Sequence, residues 1–129
     1  MTAMKIHRVP DLPDSLPFCS AVEVDGLLHC SGNIGNRPGS LEVVPGGIAA
    51  ETRQCMENIR SVLEYCGSSL DKVIKVTVFI DDMDGFWAMN EVYREFFTTH
   101  LPARSCVAVK ALAIGAKVEI ECIALAAGR

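Results

Sequence analysis

Residues 72–105, KVIKVTVFIDDMDGFWAMNEVYREFFTTHLPARS, constrain the fold most, because a strand period, a helix period and an arginine follow one another there. Val73, Val76, Val78 and Ile80 sit in a β-branched run, too short to span a membrane, that Asp81-Asp82 stops. The spacing predicts a buried strand. Asp84 is a candidate N-cap for a helix in which Phe86, Met89, Tyr93 and Phe96/Phe97 recur at helical spacing, with Asn90, Glu91, Arg94 and Glu95 mostly on the other side. Pro102 ends that register because it lacks an N–H and pushes its predecessor towards extended geometry. Arg104 therefore stands where a loop enters the next strand.

The rest of the chain reads as support for this unit. Residues 5–9 predict a short edge strand, and Pro10, Pro13 and Pro17 make the segment after it an extended connector. Residues 21–24 and 27–31 predict a hairpin turned by Asp25-Gly26, a dipeptide whose members tolerate positive φ. The adjoining Ser31-Gly32-Asn33-Ile34-Gly35 has glycines that allow close approach to a ligand, although a turn explains them equally well. Residues 36–47 predict an exposed loop, and residues 48–66 a helix stopped by Gly67. Extended runs at 104–109 and 118–125, joined by a small-residue link with Gly115, complete the order βββαβαββ. Two helices crossing between strand pairs imply an α+β fold, one mixed sheet with both helices on one face.

At 129 residues the chain holds one domain, 1–129, rather than two. Half its residues are hydrophobic, more than a lone small domain needs, so part of the apolar surface is expected to be a subunit interface. A formal charge of −4 without a lysine or arginine cluster argues against nucleic acid as a main partner. The N-terminal MTAMKIHRVPDLPDS lacks the apolar core of a secretory signal, and no run approaches the roughly 20 residues of a membrane helix, so a cytoplasmic protein without a membrane partner is expected. Six cysteines (19, 30, 55, 66, 106 and 122) contain no CxxC and no metal-ligand spacing, and His7, His29 and His100 stand singly. Most of the thiols read as small buried hydrophobes, and no metal site is expected.

VTVFIDDMDGFWAMNEVYREFF, then PARSCVAV and VEIECIAL, resembles the signature of the Rid family, also called YjgF or L-PSP. LPFCSAVEVDGLLHCSGNIG is similar to that family's first hairpin, so the resemblance covers residues 17–125. It implies a chorismate-mutase-like fold whose three copies pack their sheets into a central barrel, with substrate sites between subunits. It also implies a cofactor-independent deaminase that hydrolyses 2-imino or enamine acids of the 2-iminobutanoate/2-iminopropanoate type. In the family pattern the arginine of PARS binds the substrate carboxylate and the first glutamate of VEIE handles water; here these are Arg104 and Glu119. The likeness also points to Phe18, Gly32, Asn90 and Cys106 as substrate-binding positions, with the thiol of Cys106 lining the pocket rather than attacking. For Asn90, an ordinary solvated helix residue is an equal alternative.

The chemistry of these residue types is consistent with that role, since a guanidinium fork holds a planar carboxylate and a nearby carboxylate deprotonates water. If the strand at 118–125 pairs antiparallel with the one from Arg104, then Arg104 and Glu119 or Glu121 reach the same end of a hairpin. The plainer alternative is a cross-strand ion pair, worth a fraction of a kcal/mol to about 1 kcal/mol. Two departures from the family pattern stand out: Pro17-Phe18-Cys19-Ser20 replaces Pro-Tyr-Ser-Gln, and Leu112-Ala113 replaces Leu-Pro. Two rival functions fit the same fold, a non-catalytic ligand-binding or chaperone-like trimer and an L-PSP-type endoribonuclease or translation inhibitor.

Overall fold

The computed structural model describes residues 3–128. Edge strand β1 (Lys5–His7) pairs antiparallel with β2 (Ala21–Val24), which turns through Asp25 (φ 51°) and Gly26 (φ 80°) into β3 (Leu27–Ile34). Both turn residues occupy the left-handed region, as a two-residue hairpin loop requires. Helix α1 (Gly47–Tyr65) comes next, then β4 (Val73–Ile80), α2 (Phe86–Arg94), β5 (Ala103–Ala108) and β6 (Val118–Leu125). The strands form one mixed sheet in the order β1-β2-β3-β6-β4-β5, in which only β4 and β5 run parallel. The expected βββαβαββ order and α+β class are those of the structure.

Both helices cover one face of the sheet. Cys55, Met56, Ile59, Val62 and Leu63 recur along one side of α1 and are buried against Val76, Val78, Ile80, Val118, Ile120 and Cys122 of β4 and β6. Alternation places the intervening residues of those strands, including Phe79, Glu119 and Glu121, on the opposite face. Leu63 is fully buried, so Leu63→Ala would cost about 2–5 kcal/mol. Gly67 ends α1 at φ 80°, where the Ser68 N–H reaches back to the Leu63 carbonyl at 2.8 Å.

Several expectations are corrected. Asp84 is not the cap: the Asp82 carboxylate accepts from the Asp84 N–H at 2.9 Å and starts a short 3₁₀ turn, and α2 begins after Gly85. Phe96 and Phe97 lie beyond α2 yet are buried, because the chain packs them on the core without continuing the helix. β1 stops at His7, and β3 continues through Ser31-Gly32-Asn33-Ile34, with a register shift between Cys30 and Asn33. Most important, β5 and β6 are not partners. β4 lies between them, because β4-α2-β5 is a crossover, the connection a parallel pair needs.

Candidate functional site

The insertion of β4 separates Arg104 from Glu119. Arg104 is aligned with Val76 and through it with Cys122, whereas Glu119 is aligned with Phe79. They are two strand spacings apart, about 10 Å, and three residues apart along the strands, about another 10 Å. The odd residue offset also puts them on opposite faces of the sheet. Within one chain they form neither the expected shared site nor a cross-strand ion pair.

Arg104 faces the helices. Its guanidinium carbon stands 4.8 Å from the Tyr93 ring centroid and 5.7 Å from that of Phe86, and Nη1 lies 3.9 Å from Met89 Sδ. Two aromatic faces and a thioether hold the fork in place without using up its strong donors. Among the described residues it makes no ion pair. Arg104 opens on a cavity of about 320 Å³ that Asn90, Tyr93 and Trp87 also line. Among the described residues, the buried Asn90 Oδ1 and Tyr93 hydroxyl there find no hydrogen-bond partner. Burial pushes the Tyr93 phenol up to about 12 against the opposing pull of Arg104, so it is an O–H donor at neutral pH. Cys106 projects to the same face two residues on but packs partly buried against the core rather than lining the cavity; burial raises its thiol against the pull of Arg104, which disfavours a thiolate nucleophile.

Glu119 lies on the other face, in a cavity of about 450 Å³ shared with Phe18, Ser31, Gly32, Leu16 and Ile114. Gly32 leaves the Glu119 carboxylate its place: a Cβ on it would lie only 3.0 Å from Cδ, so a larger residue would push that carboxylate aside. Burial, and then the like charge of Glu121, raise the Glu119 carboxyl above the ordinary 4.5. A carboxylate so raised is a stronger base than an ordinary glutamate. Phe18 is 45% exposed at the mouth of this cavity.

The six sequence-derived positions thus fall into two groups of three: Arg104, Asn90 and Cys106 on the helix side, and Phe18, Gly32 and Glu119 on the open side. The histidines join neither group. His7 Nε2 is 2.9 Å from Glu23 Oε1, His100 Nε2 donates to the Val73 carbonyl at 2.7 Å, and His29 is exposed on β3. Cys30 and Cys122 face each other across β3 and β6, and their shared hydrogen bond and then burial raise the Cys30 thiol.

Residues 11–126 match a family model described as Endoribonuclease L-PSP. The chain belongs to the L-PSP family. It is 45% identical over 119 residues to the mitochondrial protein mmf1 of Schizosaccharomyces pombe, covering 90% of this chain and 72% of that protein. It is 40% identical over 109 residues to a 2-iminobutanoate/2-iminopropanoate deaminase of Mus musculus, covering 84% of this chain and 81% of that protein. Among solved structures, the yeast protein YEO7 superposes with a TM-score of 0.90 at 38% identity, over 96% of this chain and 99% of that one. Among the described residues no helix is long and apolar enough to cross a membrane.

Two cavity residues of this L-PSP chain, Tyr93 and Trp87, are not singled out by sequence reasoning. The apolar stripe of α2 explains Tyr93 by packing alone, though its place one helical turn after Asn90 puts both on one side of the helix. Ser31 on β3 and Leu16 in the loop before β2 carry no site signal of their own.

Proposed function

We propose that the protein is a homotrimeric deaminase that hydrolyses reactive 2-imino acids of the 2-iminobutanoate/2-iminopropanoate type. Each site is assembled where the Arg104 cavity of one subunit meets the Glu119 cavity of the next. One observation carries the reading: an unpaired guanidinium and a carboxylate with a raised pKa are held by one chain on opposite faces of its sheet. Each is half of a site, and a second copy is the simplest source of the other half. The sheet face away from the helices, with Phe79, Ile123 and Leu125 only partly buried and Val107 44% exposed, is the surface such an assembly would cover.

In this site the substrate carboxylate lies on the Arg104 fork, and Asn90 and Tyr93 offer polar atoms beside it. The Glu119 carboxylate takes a proton from a water as its oxygen attacks the iminium carbon. The protonated Glu119 then returns that proton to nitrogen, and as the C–N bond breaks the new hydroxyl gives its own proton back to Glu119, which passes it to the departing ammonia. One iminium carboxylate and one water become one 2-keto acid and one ammonium, with no electron transfer and no call on a cofactor. Gly32 leaves room for the reacting atoms beside Glu119. The relative named a deaminase and the intact PARS and VEIE motifs support this reading.

The deciding assay generates the imine with a pyridoxal-phosphate dehydratase and lets semicarbazide compete for it. Added protein should cut semicarbazone formation and speed keto-acid release. An unchanged partition at micromolar protein would leave the non-catalytic binding or chaperone-like reading. The family model's description also names endoribonuclease activity, so cleavage of RNA by the same preparation is the control that would favour that alternative. Residence in the cytoplasm belongs to the proposal and is tested by fractionation, the more so because two relatives are named mitochondrial.

A further inference from the structure

Residues 9–20 leave the sheet after β1 and return to almost the same point. The Ser20 N–H donates to the His7 carbonyl at 2.9 Å, and the Val9 N–H donates to Ser20 Oγ at 3.0 Å, closing the neck. A segment of this length with joined ends is an Ω-loop, and its inward-turned carbonyls need donors. Pro10, Pro13 and Pro17 supply none. Arg8 does: Nη1 donates to the Phe18 carbonyl at 2.8 Å, and Nη2 donates to the carbonyls of Pro13 at 2.8 Å and Leu12 at 3.3 Å. Its approach to Asp14, at 3.7 Å on a fully exposed carboxylate, adds little.

The loop so held is a thin partition. Leu12, Pro13, Leu16 and Phe18 face the cavity that contains Glu119, while Leu12 and Pro13 also line a separate cavity of about 430 Å³ behind them, next to Asn58 and Tyr65. A wall with open space on both sides is not positioned by core packing. Two backbone bonds inside the loop, Leu12 N–H to the Val9 carbonyl at 3.1 Å and Leu16 N–H to the Pro13 carbonyl at 3.2 Å, and the Ser31 hydroxyl on the Cys19 carbonyl at 2.7 Å shape it, and three charge-assisted hydrogen bonds from Arg8 tie it to the neck.

We propose that Arg8 is a positioning residue that sets this apolar wall, and through it the selection of substrates by side-chain size. The inference rests on the imine-hydrolysis reading and adds the element that chooses among imino acids. Arg8 itself touches no substrate. Lysine cannot replace it, because a single ammonium cannot serve three separated carbonyls in the fixed geometry of a guanidinium fork.

The test compares the parent with Arg8→Ala and Arg8→Lys, each as the assembled protein. Hydrogen exchange of the amides of residues 12–18 should speed up about tenfold or more in Arg8→Ala while β4 and β6 stay protected. With the imine of alanine, kcat should stay within about twofold; with the imine of leucine, KM should rise about tenfold, and Arg8→Lys should restore only part of the difference. Calorimetric binding of pyruvate and 4-methyl-2-oxopentanoate repeats the comparison without turnover. A parent that binds both keto acids but hydrolyses no imine would end the deaminase reading while the binding arm still judges Arg8. Faster exchange with unchanged discrimination in both arms would make Arg8 purely structural and overturn the proposal; so would unchanged exchange, or a parent that binds neither keto acid.

Discussion

The two cavities hold their charged residues by opposite means. Arg104 is fixed by side chains of α2, with the rings of Tyr93 and Phe86 beside its guanidinium and Met89 at its Nη1. Glu119 is accommodated by what its neighbours lack: Gly32 has no Cβ, and the wall opposite is a loop pinned by Arg8 rather than a packed element. A rigid anchor and an adjustable chamber suit different tasks. Every 2-imino acid carries the same carboxylate, which a fixed fork can hold, whereas side chains vary and need a wall that can be tuned by sequence. On the proposed reading, affinity belongs to the helix side of the sheet, and chemistry and selection to the other.

The largest effect should come from removing the anchor. Arg104→Ala is expected to lower kcat/KM for any 2-imino acid by about 100-fold or more, with the same effect on small and large substrates, and Arg104→Lys to recover only a small part. Circular dichroism and light scattering of the variant should match the parent, which should scatter as about three chain masses. Activity within a few-fold of the parent would show that Arg104 binds no substrate.

The next effect tests whether the two cavities belong to one site. Arg104→Ala and Glu119→Gln, each nearly inactive alone, are unfolded, mixed in equal amounts and refolded. If every site draws Arg104 from one subunit and Glu119 from another, about a quarter of the sites should be intact in the mixture. No recovery in trimers shown to be mixed would break the shared-site reading.

A smaller effect separates the chamber from the anchor. Phe18→Tyr adds a hydroxyl to the Glu119 cavity, worth roughly 0.5–1.5 kcal/mol, or at most about tenfold. It should raise kcat/KM for the imine of alanine more than for that of leucine, because the smaller ligand leaves room for water beside a polar wall. An equal change for both would remove Phe18 from the chamber.

The sequence revealed these regions unequally. The hairpin at Asp25-Gly26 and helix α1 were legible because the cause is local: two residues that accept positive φ, and an apolar stripe closed by Gly67. Arg104, Asn90 and Cys106 on one face, and Phe18, Gly32 and Glu119 on the other, could be named as candidates from the motifs that carry the family likeness. Their separation could not, because an alternating strand pattern does not say which strand lies beside it. The clue was available in the spacing: β4 and β5 are joined by a helix, as a parallel pair must be, whereas nine residues part β5 from β6, too many for a tight turn. Asp82 and Asp84 show the same limit on a small scale, since both are good caps and only the backbone path decides between them. The Arg8 clamp has no sequence signature at all, because its acceptors are main-chain carbonyls.

The finest test concerns the charge on Glu119 alone. Burial is the larger cause of its raised pKa and Glu121, on the same face two residues away, the smaller. In the proposed role of water-handling base Glu119 must be ionised, so the acid limb of kcat/KM should fall above the ordinary glutamate value of 4.5. Glu121→Gln removes the smaller cause and should move that limb to lower pH without abolishing activity. The same shift acts on stability with a definite sign. Because the folded protein holds the proton more tightly than the unfolded chain, it binds more protons in the window just above 4.5, and stability is lost as pH rises through that window. Glu119→Gln should therefore flatten the decline, giving a higher Tm than the parent at pH 7 and no difference at pH 4. Urea titrations of parent, Glu121→Gln and Glu119→Gln across that range should rank the slopes in that order, steepest first. Equal slopes in all three would mean that Glu119 meets no more burial or like charge in the folded protein than in the unfolded chain, and the distinction drawn between its chamber and the Arg104 anchor would lose its electrostatic half.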